Sequence, residues 1–189
     1  RDRDELVQQV QAGGFQTLLF VPSAGQKVDD IMPNLLQYQV DAIILTSATI
    51  SSAMARICAA RDTPVVSFNR YVPGLNIHAV SSDNTGGGRQ VADYLVATGH
   101  ERLAFISAQR DATTNRDRRS GFMSRLKQLK ITSCLQEDGG EFSYEAGYAA
   151  AKRLLRQASR PDALFFASDV MAFGGMDAAR EIGLSVPQD

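Results

Sequence analysis

No stretch of this sequence is apolar for long enough to cross a bilayer, and no leader peptide opens it. Arg1 is not an initiator, so the natural N-terminus is expected upstream. Cysteine is scarce. Cys58 and Cys134 stand far apart and match no metal or redox spacing, which points to two free, buried thiols in a reducing compartment. Histidine is as scarce: His78 and His100 have neither a nucleophile nor a metal ligand at a useful spacing. There is no basic excess either. Lys and Arg number 20 against 21 Asp and Glu, a net charge of −1. DNA affinity comes from neutralising phosphates, so another segment must bind DNA if the whole protein does.

Chemical motifs are missing too. The sequence has no GxSxG elbow, no HExxH and no recognisable carboxylate dyad. Gly86-Gly87-Gly88 lacks both the GxGxxG spacing and the Walker lysine, so it reads as close helix packing or a flexible junction. No catalytic residue, metal or cofactor is expected. Internal repeats, low-complexity segments and heptads are absent as well.

What remains is an ordinary globular composition, 44% apolar and 22% charged. Short apolar runs alternate with helical patterns along the whole chain. Leu6, Val7 and Val10 precede Gly13-Gly14, the tail of a helix with no strand before it. Strands are expected at 17–21, 42–46, 64–68, 79–82, 103–106 and 163–167, with one starting at Val186. Between them fall helices from Val28 to Leu36, carrying an internal Pro33, and from Thr49 or Ser51 to Ala60. Asp83 caps a helix that ends at Gly99. Further helices are expected from about Arg116, from Tyr144 to Leu155, and from Met171 to Ile182 before Gly183. Such alternation calls for parallel strands covered on both faces. The chain should cross between two lobes near Asp83, giving an N-terminal lobe over 1–82 and a C-terminal lobe over 83–189.

Ligands of open parallel sheets bind beyond the carboxyl ends of strands. Those ends offer Asn69-Arg70, Asp83-Asn84, the 108–119 loop and Ser168-Asp169. The Asn115-Arg116-Asp117-Arg118-Arg119 cluster opens its expected helix, where the macrodipole disfavours cations. A guanidinium fork aimed at hydroxyls or a carboxylate accounts for it, and so does a solvated Arg116–Asp117 pairing. Asn69 suits sugar hydroxyls or a simple turn. Capping accounts for one of Ser168 and Asp169 and leaves the other for a ligand. Phe142 can stack on a sugar face or belong to the core.

The segments 82–87, 92–95, 98–106, 116–122 and 161–174, together with 40–45 and 64–70, resemble the LacI/GalR family of bacterial transcriptional regulators. They occur in the family's order and cover nearly the whole chain. The resemblance implies an α/β fold of two Rossmann-like lobes, parallel sheets flanked by helices, in the periplasmic-binding-protein-like type I arrangement, incomplete at both ends. The first core strand would lie before Arg1. An effector, a sugar or similar metabolite, would sit in the cleft between the lobes. By position, Asn69 matches the family's polar contact, Arg118 its ligand-binding arginine and Asp169 the Asp of its motif, while Phe142 falls where some members place a stacking aromatic and Ser168 stands where several have Asn. The implied protein is a cytoplasmic transcriptional regulator, usually a homodimer, that is not an enzyme. It would touch operator DNA through a headpiece outside this chain and have no membrane contact. A periplasmic sugar-binding protein of a transport system shares the fold and is the alternative.

Overall fold

The computed structural model describes residues 2–23, 26–46, 48–75 and 77–189. They divide into two compact units, Arg1–Ser81 and Ser82–Asp189. Both are α/β, with parallel sheets flanked by helices.

Unit 1 opens with α1 (Asp2–Ala12), which ends before Gly14 at a φ of 85°. Then come α2 (Val28–Leu36), β1 (Ile43–Thr46), α3 (Ser52–Ala60), β2 (Val65–Phe68) and β3 (His78–Val80). Parallel pairing gives the sheet order β1-β2-β3. Helix α2 runs unbroken through Pro33 and buries Met32, Leu35 and Leu36. Ser51 is the cap of α3, its hydroxyl accepting from Met54 N at 3.2 Å. Ile43, Leu45, Val65 and Cys58 complete a small core with these side chains.

The strand expected at 17–21 is not formed. A strand exists only through its ladder, and this run makes none with β1, whose one hydrogen-bonded neighbour among the described residues is β2. Its β-prone side chains stay in solvent: Leu18 is 55% exposed, Leu19 60% and Val21 70%. Only Phe20 reaches the core, edge-on to the Tyr38 ring at 5.5 Å.

Unit 2 runs α4 (Asn84–Ala97), β4 (Leu103–Ser107), α5 (Thr113–Gln128), β5 (Cys134–Asp138), α6 (Tyr144–Leu155), β6 (Ala163–Phe166) and α7 (Asp169–Glu181). Its sheet order is β5-β4-β6, all parallel, with Phe105 level with Gln136 and Phe165. The chain leaves β4 towards β5 and returns past it to β6. Right-handed crossovers then place α5 and α6 on opposite faces. The helices pack accordingly, α4 on α5 and α6 on α7. Phe105, Phe122 and Phe165 meet with centroids 5.0 to 6.1 Å apart and fill the layer under α5.

Three expectations need correction here. Helix α5 starts at Thr113, not near Arg116, because buried Asn115 ties its first turn to the end of β4. The arginines therefore begin at its fourth residue, and the macrodipole at the first turn says less about them than the sequence implied. Strand β5 was not anticipated at all. It is an edge strand reading Cys-Leu-Gln-Glu-Asp, largely polar and part-exposed, so no apolar run announces it. Val186 begins no strand. It is 57% exposed in a turn that Asp189 closes, its N donating to Ser185 O and its carboxylate accepting from Ser185 N, both at 2.8 Å.

Candidate functional site

Unit 2 gathers polar groups at the carboxyl ends of its strands, where ligands of parallel sheets bind. The gathering depends on two glycines. A Cβ on Gly121 of α5 would overlap the Thr85 backbone, and one on Gly88 of α4 would overlap the Arg118 carbonyl. Within the Gly-rich stretch at 86–88, Gly88 is thus explained by close helix packing. That approach brings Arg118 to the start of α4. Its Nε donates to Asn84 Oδ1 at 2.9 Å, and Nη1 donates to Ala167 O at the end of β6. Asn84 is itself fixed, its Nδ2 donating to Ser82 O at 3.1 Å, and it is 6% exposed. A half-buried guanidinium is thereby held between α4 and the β6–α7 connection. Two of its five N–H groups are committed to protein oxygens.

Ser168 follows Ala167 directly and occupies the cap position of α7. Its side chain makes no capping bond, and its Oγ is buried without a hydrogen-bond partner. A capping serine normally satisfies an orphan N–H; this one leaves a buried hydroxyl unspent, beside the residue that Arg118 binds. Asp169 is exposed as the first residue of α7, where a negative charge favours the helix. Capping by a side chain therefore accounts for neither residue, against the sequence expectation. Phe142 is half-buried and packs on the unit 2 core, the bland reading of a lone aromatic. Asn69 belongs to unit 1. It ends β2 with a left-handed φ of 72°, its N donating to Val80 O at 2.8 Å and its O accepting from Ser81 Oγ at 3.4 Å. That is turn geometry, placed at a strand's carboxyl end.

Arg118, Ser168 and the start of α7 are thus brought together, with Phe142 in the same unit's core and Asn69 in the other unit. Arg116 takes the alternative reading, pairing with Asp117 at 3.3 Å. Two residues escaped notice in these roles. Asn84 aims Arg118 from 34 positions away, and no spacing rule connects them without the glycine pair. Asn115 is 3% exposed and closes the loop after β4, its Oδ1 accepting from Ala108 N at 3.1 Å and its Nδ2 donating to Gln109 O at 3.2 Å.

Neither cysteine is set up as a nucleophile. Burial raises the Cys58 thiol, and it pushes Cys134 up to about 11, the opposite of activation. No group of three metal-ligating side chains occurs among the described residues. Nor is any described helix long and apolar enough to cross a membrane.

A family model described as periplasmic binding protein domain matches residues 2–188. Among curated relatives, the HTH-type transcriptional regulator CelR of Thermobifida fusca is 31% identical over 183 residues, covering 93% of this chain and 53% of that protein. The HTH-type transcriptional repressor PurR of Pectobacterium carotovorum subsp. carotovorum is 39% identical over 160 residues, covering 82% of this chain and 46% of PurR. The chain thus spans about half the length of these relatives. Among solved structures, a regulatory protein of LacI family from Chloroflexus aggregans superposes with a TM-score of 0.82 at 29% identity, covering 98% of this chain and 68% of that one.

Proposed function

The chain belongs to the periplasmic binding protein domain family, in its LacI/GalR branch, and we propose that it is the effector-sensing domain of a transcriptional regulator. The effector is a sugar or similar small polar metabolite. The observation that carries this reading is Arg118, aimed by Asn84 and Ala167 with donors to spare, next to the unspent hydroxyl of Ser168. A guanidinium fork and a buried hydroxyl are what a hydroxyl-rich or carboxylate-bearing ligand needs to replace its water. Asp169 contributes an acceptor at the same helix start.

A regulator of this kind works by differential binding. A ligand that favours one arrangement of the domain shifts DNA affinity by about 1–3 kcal/mol of coupling. We assign the DNA contact to a segment outside these residues, a reading that the net charge of −1 supports. We place the protein in the cytoplasm as a homodimer without enzymatic activity. The curated relatives are transcriptional regulators, which favours regulation over transport.

The test is a thermal-shift screen of the chain against aldoses, pentoses and nucleobases, followed by calorimetric titration of any hit. Arg118→Ala should abolish binding while the circular dichroism spectrum is kept. Unaltered affinity in that variant would refute the assignment.

A further inference from the structure

Helix α5 sends two consecutive arginines to opposite flanks of unit 2. Arg118 turns towards β6, as described. Arg119 turns towards β5, where its Nε donates to Gln136 Oε1 at 2.8 Å and its Nη2 donates to the same oxygen. Beside it lies a hollow of about 450 Å³, floored by Phe105 and Gln136 and edged by Glu137 and Asp138. Arg116, one turn earlier on α5, and Arg110, from the loop after β4, line it too. Three guanidiniums therefore share one cavity, on the β5 side of the sheet and away from Arg118.

The carboxylates at its edge are already engaged. Glu137 pairs with Arg153 at 2.6 Å. Asp138 pairs with Arg110 at 2.8 Å and accepts from Gly140 N at 2.9 Å; that N–H first, and then Arg110, hold it below the usual carboxylate range. Arg116 has Asp117. Arg119 meets no carboxylate among the described residues, only a neutral amide oxygen. One full positive charge in the cavity is thus uncompensated.

We propose that this hollow binds the phosphate group of a small phosphorylated molecule, with Arg119 and Arg116 on its oxygens and Arg110 at the rim. Guanidinium forks match phosphate in a bidentate way. Donors reach the cavity from both a helix and a loop, more than the two oxygens of a planar carboxylate can use. A phosphate monoester offers three oxygens and up to two charges. The volume leaves room for the rest of a small ligand.

The experiment is calorimetric titration of the chain at low salt with inorganic phosphate in one arm, glycerol 3-phosphate in another and acetate as control. Both phosphates should bind and acetate should not. Arg119→Gln and Arg116→Gln should each weaken phosphate at least tenfold with the circular dichroism spectrum intact. Arg156→Gln removes the same charge from α6's C-cap and should leave the titration unchanged. The arm that binds more tightly tells free phosphate from a phosphate ester as the source, and either supports the assignment. No binding in either arm overturns it. So does binding that survives both Arg119→Gln and Arg116→Gln, or an equal loss in Arg156→Gln.

Discussion

Two glycine-to-alanine changes in the same helix pair should move stability in opposite directions. In a helix interior, Gly→Ala gains about 1 kcal/mol, because alanine gives up less backbone freedom on folding. Gly87 lies in the first turns of α4, and a Cβ there meets nothing within 4 Å. Gly87→Ala should therefore stabilise by about 0.5–1 kcal/mol. Gly121 lies inside α5, and a Cβ there would overlap the carbonyl, carbon and Cα of Thr85. These are backbone atoms of α4, so no rotamer change relieves the clash and the helices must separate. Overpacking of this kind costs about 1–3 kcal/mol. Set against the propensity gain, Gly121→Ala should destabilise by up to about 2 kcal/mol net. Urea unfolding followed by circular dichroism reads both midpoints. A Gly121→Ala variant as stable as the parent, or less harmed than Gly87→Ala, would refute the close crossing on which the placement of Arg118 rests.

Ser51→Ala should cost about 1 kcal/mol, read as a lower urea midpoint for unit 1, since Ser51 Oγ satisfies Met54 N at the start of α3. The thiol of Cys134, raised by burial to about 11, should be alkylated by iodoacetamide at a rate still climbing steeply above pH 10, where an ordinary thiol has nearly levelled off. Because this folded pKa is raised, its contribution to stability is complete below the unfolded value and is lost as pH rises towards 11. Arg118→Lys should lose about 1–2 kcal/mol in the same urea assay, because an ammonium cannot serve Asn84 Oδ1 and Ala167 O in their fixed directions; full stability would count against the fork geometry.

The sequence showed its elements where the core needs them. Ile43, Leu45, Val65 and Leu103–Ile106 are buried in strands where the apolar runs placed them, and Gly99 and Gly183 stop their helices at φ of 89° and 81°. Asp83 caps α4 as its position implies, accepting from Gly86 N at 2.7 Å. Legibility failed where propensity and tertiary context part. The 17–21 run is as β-prone as any strand in the chain, yet it has no ladder. Strand β5 carries a polar sequence and pairs all the same, because β4 offers it a register from Leu103–Cys134 to Ser107–Asp138. Edge strands answer to their neighbour more than to their own residues. The start of α5 was misplaced for a related reason: Asn115 fixes the first turn through loop contacts that leave no periodic trace.

The candidate site follows the same division. Position on strand ends nominated the 115–119 cluster and the Ser168-Asp169 pair from the alternation of elements, and the family resemblance singled out Arg118 within the cluster. What those residues do there depends on pairs of residues far apart in sequence. Arg118 is aimed because Gly88 and Gly121 remove the atoms that would hold α4 and α5 apart, which lets Asn84 reach its Nε. Arg119, its neighbour, is turned by the helical period to the other flank and finds Gln136, 17 positions away on an unanticipated strand. Two adjacent arginines with the same intrinsic chemistry thereby face different flanks of unit 2. A motif read from sequence identifies a side chain's capacity, while helix phase and the nearest backbone decide which ligand that capacity meets.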